Sequence, residues 1–346
     1  MDLPVMPPLL PMLAKARAGV PDQPDGAPEW LYEPKWDGFR CVVFRDGDEV
    51  LLGSRNTKAL DRYFPEVVAA VKAELPQRCV LDGELVVPRE RDGRVRLDWD
   101  SLSQRIHPAA SRVAMLAEQT PAQVVAFDCL ALGDDDLTGR PLHERRAALE
   151  SALDGAGASV HLSVATTDAD VARGWFETFE GAGLDGVVAK RLDGPYRPDQ
   201  RDMVKVKHHR TADCVVIGYR KHKSVDGVGS LLLGLHGSER MHMVGGASAF
   251  TNVERKRLLD MLQEYRVGED VTYSGEPNRW NAREDHSFVP LRPELVVEIE
   301  YDQMESDRLR HAGRVLRWRT DKSPEQCTYD QLEVPARYDL KDVLAR

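Results

Sequence analysis

The chain has 346 residues, 42% of them hydrophobic and 30% charged, which suits a globular protein of about two domains with a real core. Its 57 acidic against 47 basic side chains leave a net charge of −10, which argues against a uniformly basic nucleic-acid coat. No apolar run approaches the roughly 18 residues of a membrane span, and the proline-rich start, Met1 to Pro11, is a poor secretory signal. The five cysteines, Cys41, Cys79, Cys129, Cys214 and Cys327, are scattered without a Cys-x-x-Cys pair. That excludes a disulfide framework or zinc knuckle and fits a reducing, cytoplasmic setting.

Residues 1–29 lack periodicity and read as an extended arm. Glu33 to Arg40 (Glu-Pro-Lys-Trp-Asp-Gly-Phe-Arg) reads as a loop feeding the strand Cys41 to Phe44, which pairs with Glu49 to Gly53 across the turn Asp46-Gly47. Phe64 to Leu75 carries Val67, Val68, Val71 and Leu75 on one helical face. On the strand Cys79 to Val87, alternation sends Asp82 and Glu84 to the same side. Leu97 to Ile106 and Ala109 to Ala117 read as short helices, Gln123 to Leu132 as an apolar strand, and Gly133 to Gly139 as an acidic loop. The helix Leu142 to Leu153, strand Val160 to Val164, helix Asp168 to Glu180 and strand Asp185 to Arg191 follow. Met203 to Lys207 alternates so that a strand there sends Lys205 and Lys207 to one side.

After His208 short strands dominate: Asp213 to Arg220, Ser230 to His236, Met241 to Val244, Pro293 to Tyr301 and Val315 to Thr320. One clear helix interrupts them, Thr251 to Tyr265, opened by a Thr251/Glu254 capping box. Five strands around one helix suit a small closed barrel of the OB type. Residues 1–208 and 209–346 are the expected domains. Two basic islands, Arg201 to Lys223 and Arg308 to Lys322, stand out in the acidic chain as a candidate phosphate track.

The chemistry concentrates in a lysine that is flanked by an acid, a glycine and an arginine. A lysine becomes nucleophilic once its ammonium loses a proton, through desolvation or nearby positive charge. Phosphoryl transfer asks mainly for positioning and for cations on the phosphate oxygens, and carboxylates are the natural ligands of the hard metal ion involved. Lys35, the Asp82-Gly83-Glu84 strand, Phe127, Leu184-Asp185-Gly186-Val187-Val188-Ala189-Lys190, the Lys205/Lys207 pair and Arg317-Trp318-Arg319-Thr320-Asp321-Lys322 occur in that order.

This ordered set resembles the covalent nucleotidyltransferases, and most closely the ATP-dependent DNA ligases; the compact layout looks like the small bacterial ligases usually called ligase C. The resemblance covers about Leu31 to Lys322. It implies an α+β fold, with a nucleotidyltransferase domain of ATP-grasp-like antiparallel sheets and helices followed by an OB-fold barrel. It implies a DNA ligase that seals 5′-phosphate/3′-hydroxyl nicks through a lysyl-AMP on Lys35, with repair as its setting and no added DNA-binding, polymerase or nuclease domain. Arg40 and Arg55 are then expected at the ribose and neighbouring phosphate, Glu33 at the adenine edge and Phe127 stacked on adenine. Glu84 is expected at the ribose and metal, Asp185 at Mg²⁺ (Mn²⁺ substituting), and Arg201, Lys205 and Lys207 at the ATP phosphates. Arg319, Asp321 and Lys322 are expected to orient the leaving pyrophosphate. Asp185 departs from the family's usual Glu, being one methylene shorter, and Met203 replaces a usual Trp. Expected partners are nicked duplex DNA and, beyond it, repair polymerases or end-binding proteins, with the protein a monomer. An RNA ligase or capping guanylyltransferase shares the lysine chemistry, and a catalytically dead nucleotide- or DNA-binding protein is the reading from another class.

Overall fold

The structure is a computed structural model that describes all residues except 92, 269–272, 275–286, 306, 334, 336 and 345–346. The chain forms two compact units, one of Met1–Lys207 with Pro335–Arg346 and one of His208–Val334.

Among the described residues the first unit is built from two larger sheets and a two-stranded hairpin. In chain order its elements are β1 (Leu13–Ala16), β2 (Trp30–Pro34), β3 (Phe39–Asp46), β4 (Glu49–Ser54), α1 (Pro65–Glu74), β5 (Arg78–Val86), β6 (Pro88–Arg91), β7 (Arg94–Leu97), α2 (Trp99–Gln104), α3 (Ala110–Gln119), β8 (Gln123–Leu132) and β9 (Asp135–Asp136). Then come α4 (Leu142–Ala152), β10 (Val160–Leu162), α5 (Ala169–Thr178), β11 (Val187–Arg191) and β12 (Arg201–Val206). A six-stranded sheet runs β10-β8-β5-β3-β4 with β9 attached to β8, and a four-stranded sheet runs β1-β12-β11-β2.

Alternation on the long strands builds a layer on each side of the larger sheet. Cys41, Val43, Leu81 and Leu85 face one way, onto Val67 and Val71 of α1 and Leu149 of α4. Val42, Phe44 and Val80 face the other way and pack with Met203 and Tyr196. Arg45 sends its guanidinium to the carbonyls of Val71 and Leu75, tying the end of α1 to the sheet.

The second unit is a barrel. Its strands are β13 (Arg210–Lys221), β14 (Val228–His236), β15 (Met241–Ser248), β16 (Tyr273–Ser274), β17 (Ser287–Tyr301), β18 (Met304–Glu305), β19 (Arg308–Leu309) and β20 (Gly313–Trp318), and α6 (Asn252–Leu262) follows β15. The ladder β13-β14-β15-β20-β17 closes because β13 also pairs with β17, the OB-fold order. The Thr251/Glu254 capping box opens α6 as expected.

Three features were not legible. The arm contains β1, whose parallel partner β12 lies far along the chain. The hairpin β6–β7 occupies residues where only a following helix was expected. The second unit was expected to run to residue 346. Instead α7 (Leu340–Leu344) belongs to the first unit, because Leu340 and Val343 are buried with Trp175, Phe179 and Ala182.

A buried ion pair ties β8 to α4. Arg145 donates to both oxygens of Asp128 at 2.7 and 3.0 Å, with each side chain 1% exposed. Arg145 also donates to the carbonyls of Arg140 and Gly194, so its charge is well satisfied. Removing one partner strands the other in a dry interior. Arg145→Met is expected to lower unfolding free energy by about 3–5 kcal/mol, read from urea unfolding; a loss under about 1 kcal/mol would show that water or another group replaces the pair.

Candidate functional site

Lys35 sits where the chain crosses from one sheet to the other. β2 belongs to the four-stranded sheet and β3 to the six-stranded one, and Lys35 follows the last residue of β2 directly. Its backbone is held at both polar groups: Lys35 N–H donates to Gly186 O at 2.8 Å, and Asp185 N–H donates to Lys35 O at 2.9 Å. This prolongs the β2–β11 ladder, in which Pro34 opposes Val187. Two glycines make the close approach possible. A Cβ on Gly186 (φ +123°) would lie 2.0 Å from Val206 O, and one on Gly38 would lie 2.0 Å from Leu85 O.

The side chains converge as tightly. Lys35 Nζ lies 2.7 Å and Lys207 Nζ 2.6 Å from the same oxygen, Asp185 Oδ2, and that carboxylate is 6% exposed. Burial pushes the Asp185 carboxyl up, but the two ammonium groups outweigh it and hold the group below its usual range. Burial likewise pushes Lys35 down, and Asp185 overcomes it, so Lys35 is held above its usual value. This differs from the expected depression of Lys35 by neighbouring cations: the partner that dominates here is an anion. Lys205 shows the cationic side of the cluster. Its ammonium is pushed down by burial and then by Lys207, Lys35 and Arg55. Arg55 itself is exposed in the turn after β4, and Arg201 is exposed at the start of β12.

Glu84 lies across the ladder from Arg40. Burial pushes its carboxyl up to about 7, with Asp37 and Asp82 adding to the rise and Arg40 and Lys35 opposing it. Its neighbour Asp82 is fully buried and already committed: Arg40 grips both oxygens at 2.6 and 2.5 Å, and Tyr196 donates its hydroxyl at 2.6 Å. Arg40 also donates to Met12 O. Its Nε and Nη2 are therefore engaged by the protein, and neither Asp82 nor Met12 O takes up Nη1.

Phe127 is nearly buried, with the Arg40 guanidinium 4.7 Å and the Lys190 ammonium 4.5 Å from its ring centroid. Lys190 pairs with buried Glu33 at 2.6 Å and donates to Phe127 O at 2.9 Å, and Arg146 reaches Glu33 at 3.3 Å. Lys190, Asp82 and Tyr196 were absent from the expected site. The alternation that placed Glu84 also placed Asp82, but nothing in a loop sequence marks Tyr196.

Arg319, Asp321 and Lys322 gather in the second unit. Arg319 donates to both oxygens of Asp213 at 2.9 and 3.0 Å, and Lys322 reaches Asp213 at 2.8 Å. Arg319 also binds Asp321, whose carboxyl is lowered to about 2 mainly by that hydrogen bond.

Family models match both parts of the chain: an ATP dependent DNA ligase domain over residues 11–207, and an ATP dependent DNA ligase C terminal region over residues 224–322. The chain belongs to the ATP-dependent DNA ligases. Relatives of this ligase include DNA ligase C1 of Mycolicibacterium smegmatis, 58% identical with 99% of each chain covered. DNA ligase C of Mycobacterium tuberculosis is 52% identical, again over 99% of each chain. A solved Lig E DNA ligase shares the fold, with a TM-score of 0.56 at 16% identity over 89% of this chain and 99% of its own. These matches favour the DNA ligase over the RNA-ligase and guanylyltransferase alternatives, and the α+β fold with an OB barrel agrees with them. No described helix is long and apolar enough to cross a membrane.

Among the described residues no three His, Cys, Asp or Glu side chains form a metal-binding group. A hard cation held by the ligase would therefore rely on one or two carboxylates, with water and phosphate oxygens completing its shell. Glu84 fits that role, since it makes no hydrogen bond or ion pair among the described residues and its raised value reports uncompensated burial.

A carboxyl raised from 4.5 to about 7 stabilises the fold while protonated. That contribution is complete below about pH 4.5 and is lost as pH rises through about 7, on the order of 3 kcal/mol. Glu84→Gln is expected to keep it, so the variant's unfolding free energy should fall less than wild type's between pH 5 and 8 in metal-free buffer. Parallel curves would mean that Glu84 is solvated.

Proposed function

We propose that this ligase joins nicks through a lysyl-AMP on Lys35 and that Asp185 is the switch between its stored and reactive forms. The single observation that supports this is the shared oxygen: Asp185 Oδ2 accepts from both Lys35 and Lys207. The carboxylate keeps Lys35 protonated and its Nζ aimed. The attacking amine must shed that proton, which the Asp185 carboxylate 2.7 Å away holds in place until its own charge is neutralised. The lone pair of Nζ then forms a bond to the α-phosphorus of ATP, the bond to the bridging oxygen breaks, and pyrophosphate leaves with that electron pair.

Lys205, Lys207 and Arg55 supply the positive charge that phosphoryl transfer needs, and Arg201 extends it along β12. Mg²⁺, when bound at Glu84 or Asp185, would neutralise charge on the phosphate oxygens. Glu33, locked by Lys190 and Arg146, presents a fixed carboxylate for the exocyclic amine of adenine, and Phe127 offers its ring to the base. Arg40 holds Asp82 and the Phe127 ring through Nε and Nη2 and leaves Nη1 for the ribose or its neighbouring phosphate. Nicked duplex DNA is the proposed substrate, and repair is its proposed setting.

Incubation with α-labelled ATP and Mg²⁺ should label the protein covalently, and Lys35→Ala should abolish the label; persistent labelling would overturn the nucleophile assignment. Asp185→Asn should retain binding of ATP but slow labelling by roughly 10²-fold or more, the scale of a misplaced reacting group. Labelling at the wild-type rate would remove Asp185 from the reaction.

A further inference from the structure

The hairpin β6–β7 carries an unusual arrangement of charge. In its ladder Arg89 lies directly opposite Arg96, and Arg91 directly opposite Arg94. Opposed residues on an antiparallel pair share one face with Cβ atoms roughly 5 Å apart, and like charges in that position repel. The other face is the one that packs: Leu97 is buried, and Val95 sits against the Tyr32, Trp175 and Phe179 cluster. All four arginines therefore lie on the outward face, and all are exposed.

Their counter-charges are few. Arg89 donates to Ser101 Oγ at 3.1 Å and lies 3.8 Å from Asp98. Glu90 opposes Val95, on the inward face. Arg91, Arg94 and Arg96 make no ion pair or hydrogen bond through their side chains among the described residues. On the barrel the exposed Arg314 pairs with Glu300 and Arg317 with Glu298, partners of a kind these three lack among the described residues. A ribbon that stacks like charges and leaves them unpaired is complementary to a regular polyanion.

We propose that the outward face of β6–β7 grips the phosphate backbone of duplex DNA flanking the nick. The hairpin's place supports this. It continues directly from β5, which carries Glu84, and Arg91 is seven residues beyond Glu84, at most about 25 Å of extended chain. Successive phosphates along one strand span such a distance within less than a turn of duplex, at about 3.4 Å per base pair. The hairpin was not part of either basic island seen in the sequence, because its arginines alternate with Glu90 and Val95 and gather only when the strands pair. The proposal rests on the nick-joining reading above, and adenylylation without DNA separates the two.

The test is steady-state joining of a nicked duplex from 0.05 to 0.2 M salt, alongside ATP labelling without DNA. Arg91→Gln/Arg94→Gln should raise KM for nicked DNA by roughly 10- to 100-fold at 0.1 M salt, with kcat within about twofold and labelling unchanged. The slope of log KM against log salt should become shallower by about 1.8, or 0.9 for each phosphate that the variant leaves without its cation. Arg91→Lys/Arg94→Lys should keep most of the slope, which guards against a folding defect in the neutral variant. Unchanged KM and slope in the Gln variant would overturn the proposal in favour of a protein partner or simple protection of a sheet edge. A defect shared by the Lys variant, with lower melting temperature and reduced labelling, would overturn it in favour of a structural role.

Discussion

Asp185 and the two ammonium groups on it hold the centre of the first unit together. The carboxylate is buried, and an isolated buried charge is costly. Lys35 and Lys207 offset that cost from two directions, one from the loop between the sheets and one from the end of β12. The same contact explains why the backbone is so constrained there. Lys35 is hydrogen-bonded to Asp185 and Gly186 through its main chain, so the lysine and the carboxylate that restrains it are set by one ladder. Asp185 is a methylene shorter than the glutamate usual in the family, and in this chain it is close enough for direct contact with both lysines.

Around that centre the unit builds its binding surfaces from buried ion pairs rather than from free charges. Arg40 is fixed by Asp82, Tyr196 and Met12 O; Lys190 by Glu33; Arg145 by Asp128. Each pair is worth little net stability compared with a well-packed apolar substitute. What each gives is position, because a charge inside a sheet sandwich has only one satisfied geometry. Phe127, bracketed by Arg40 and Lys190, is the clearest beneficiary: its ring is held in place between two cations.

Glu84 is the exception. Partly buried, it makes no hydrogen bond or ion pair among the described residues, and the exposed arginines of β6–β7 are its counterpart on the surface. A ligand that carries both phosphates and a metal ion relieves both kinds of unbalanced charge at once, which suits a protein whose net charge is negative.

Much of this was determined by the sequence itself. Strand alternation at Cys79 to Val87 and Met203 to Lys207 sends Glu84, Lys205 and Lys207 to definite faces, because side-chain direction in a strand is a local property with a period of two. The capping box of α6 and the order of short strands in the barrel are likewise local signals. What only the tertiary structure decided is who meets whom. Arg40 grips Asp82 on the neighbouring strand; Lys190 is buried against Glu33; Tyr196 comes from a loop with no signal at all. β1 and α7 take their places through partners far along the chain, and the arginines of β6–β7 become a row only when two strands pair. Distances between residues remote in sequence depend on packing, and packing is where an anion, Asp185, rather than a cation came to govern Lys35.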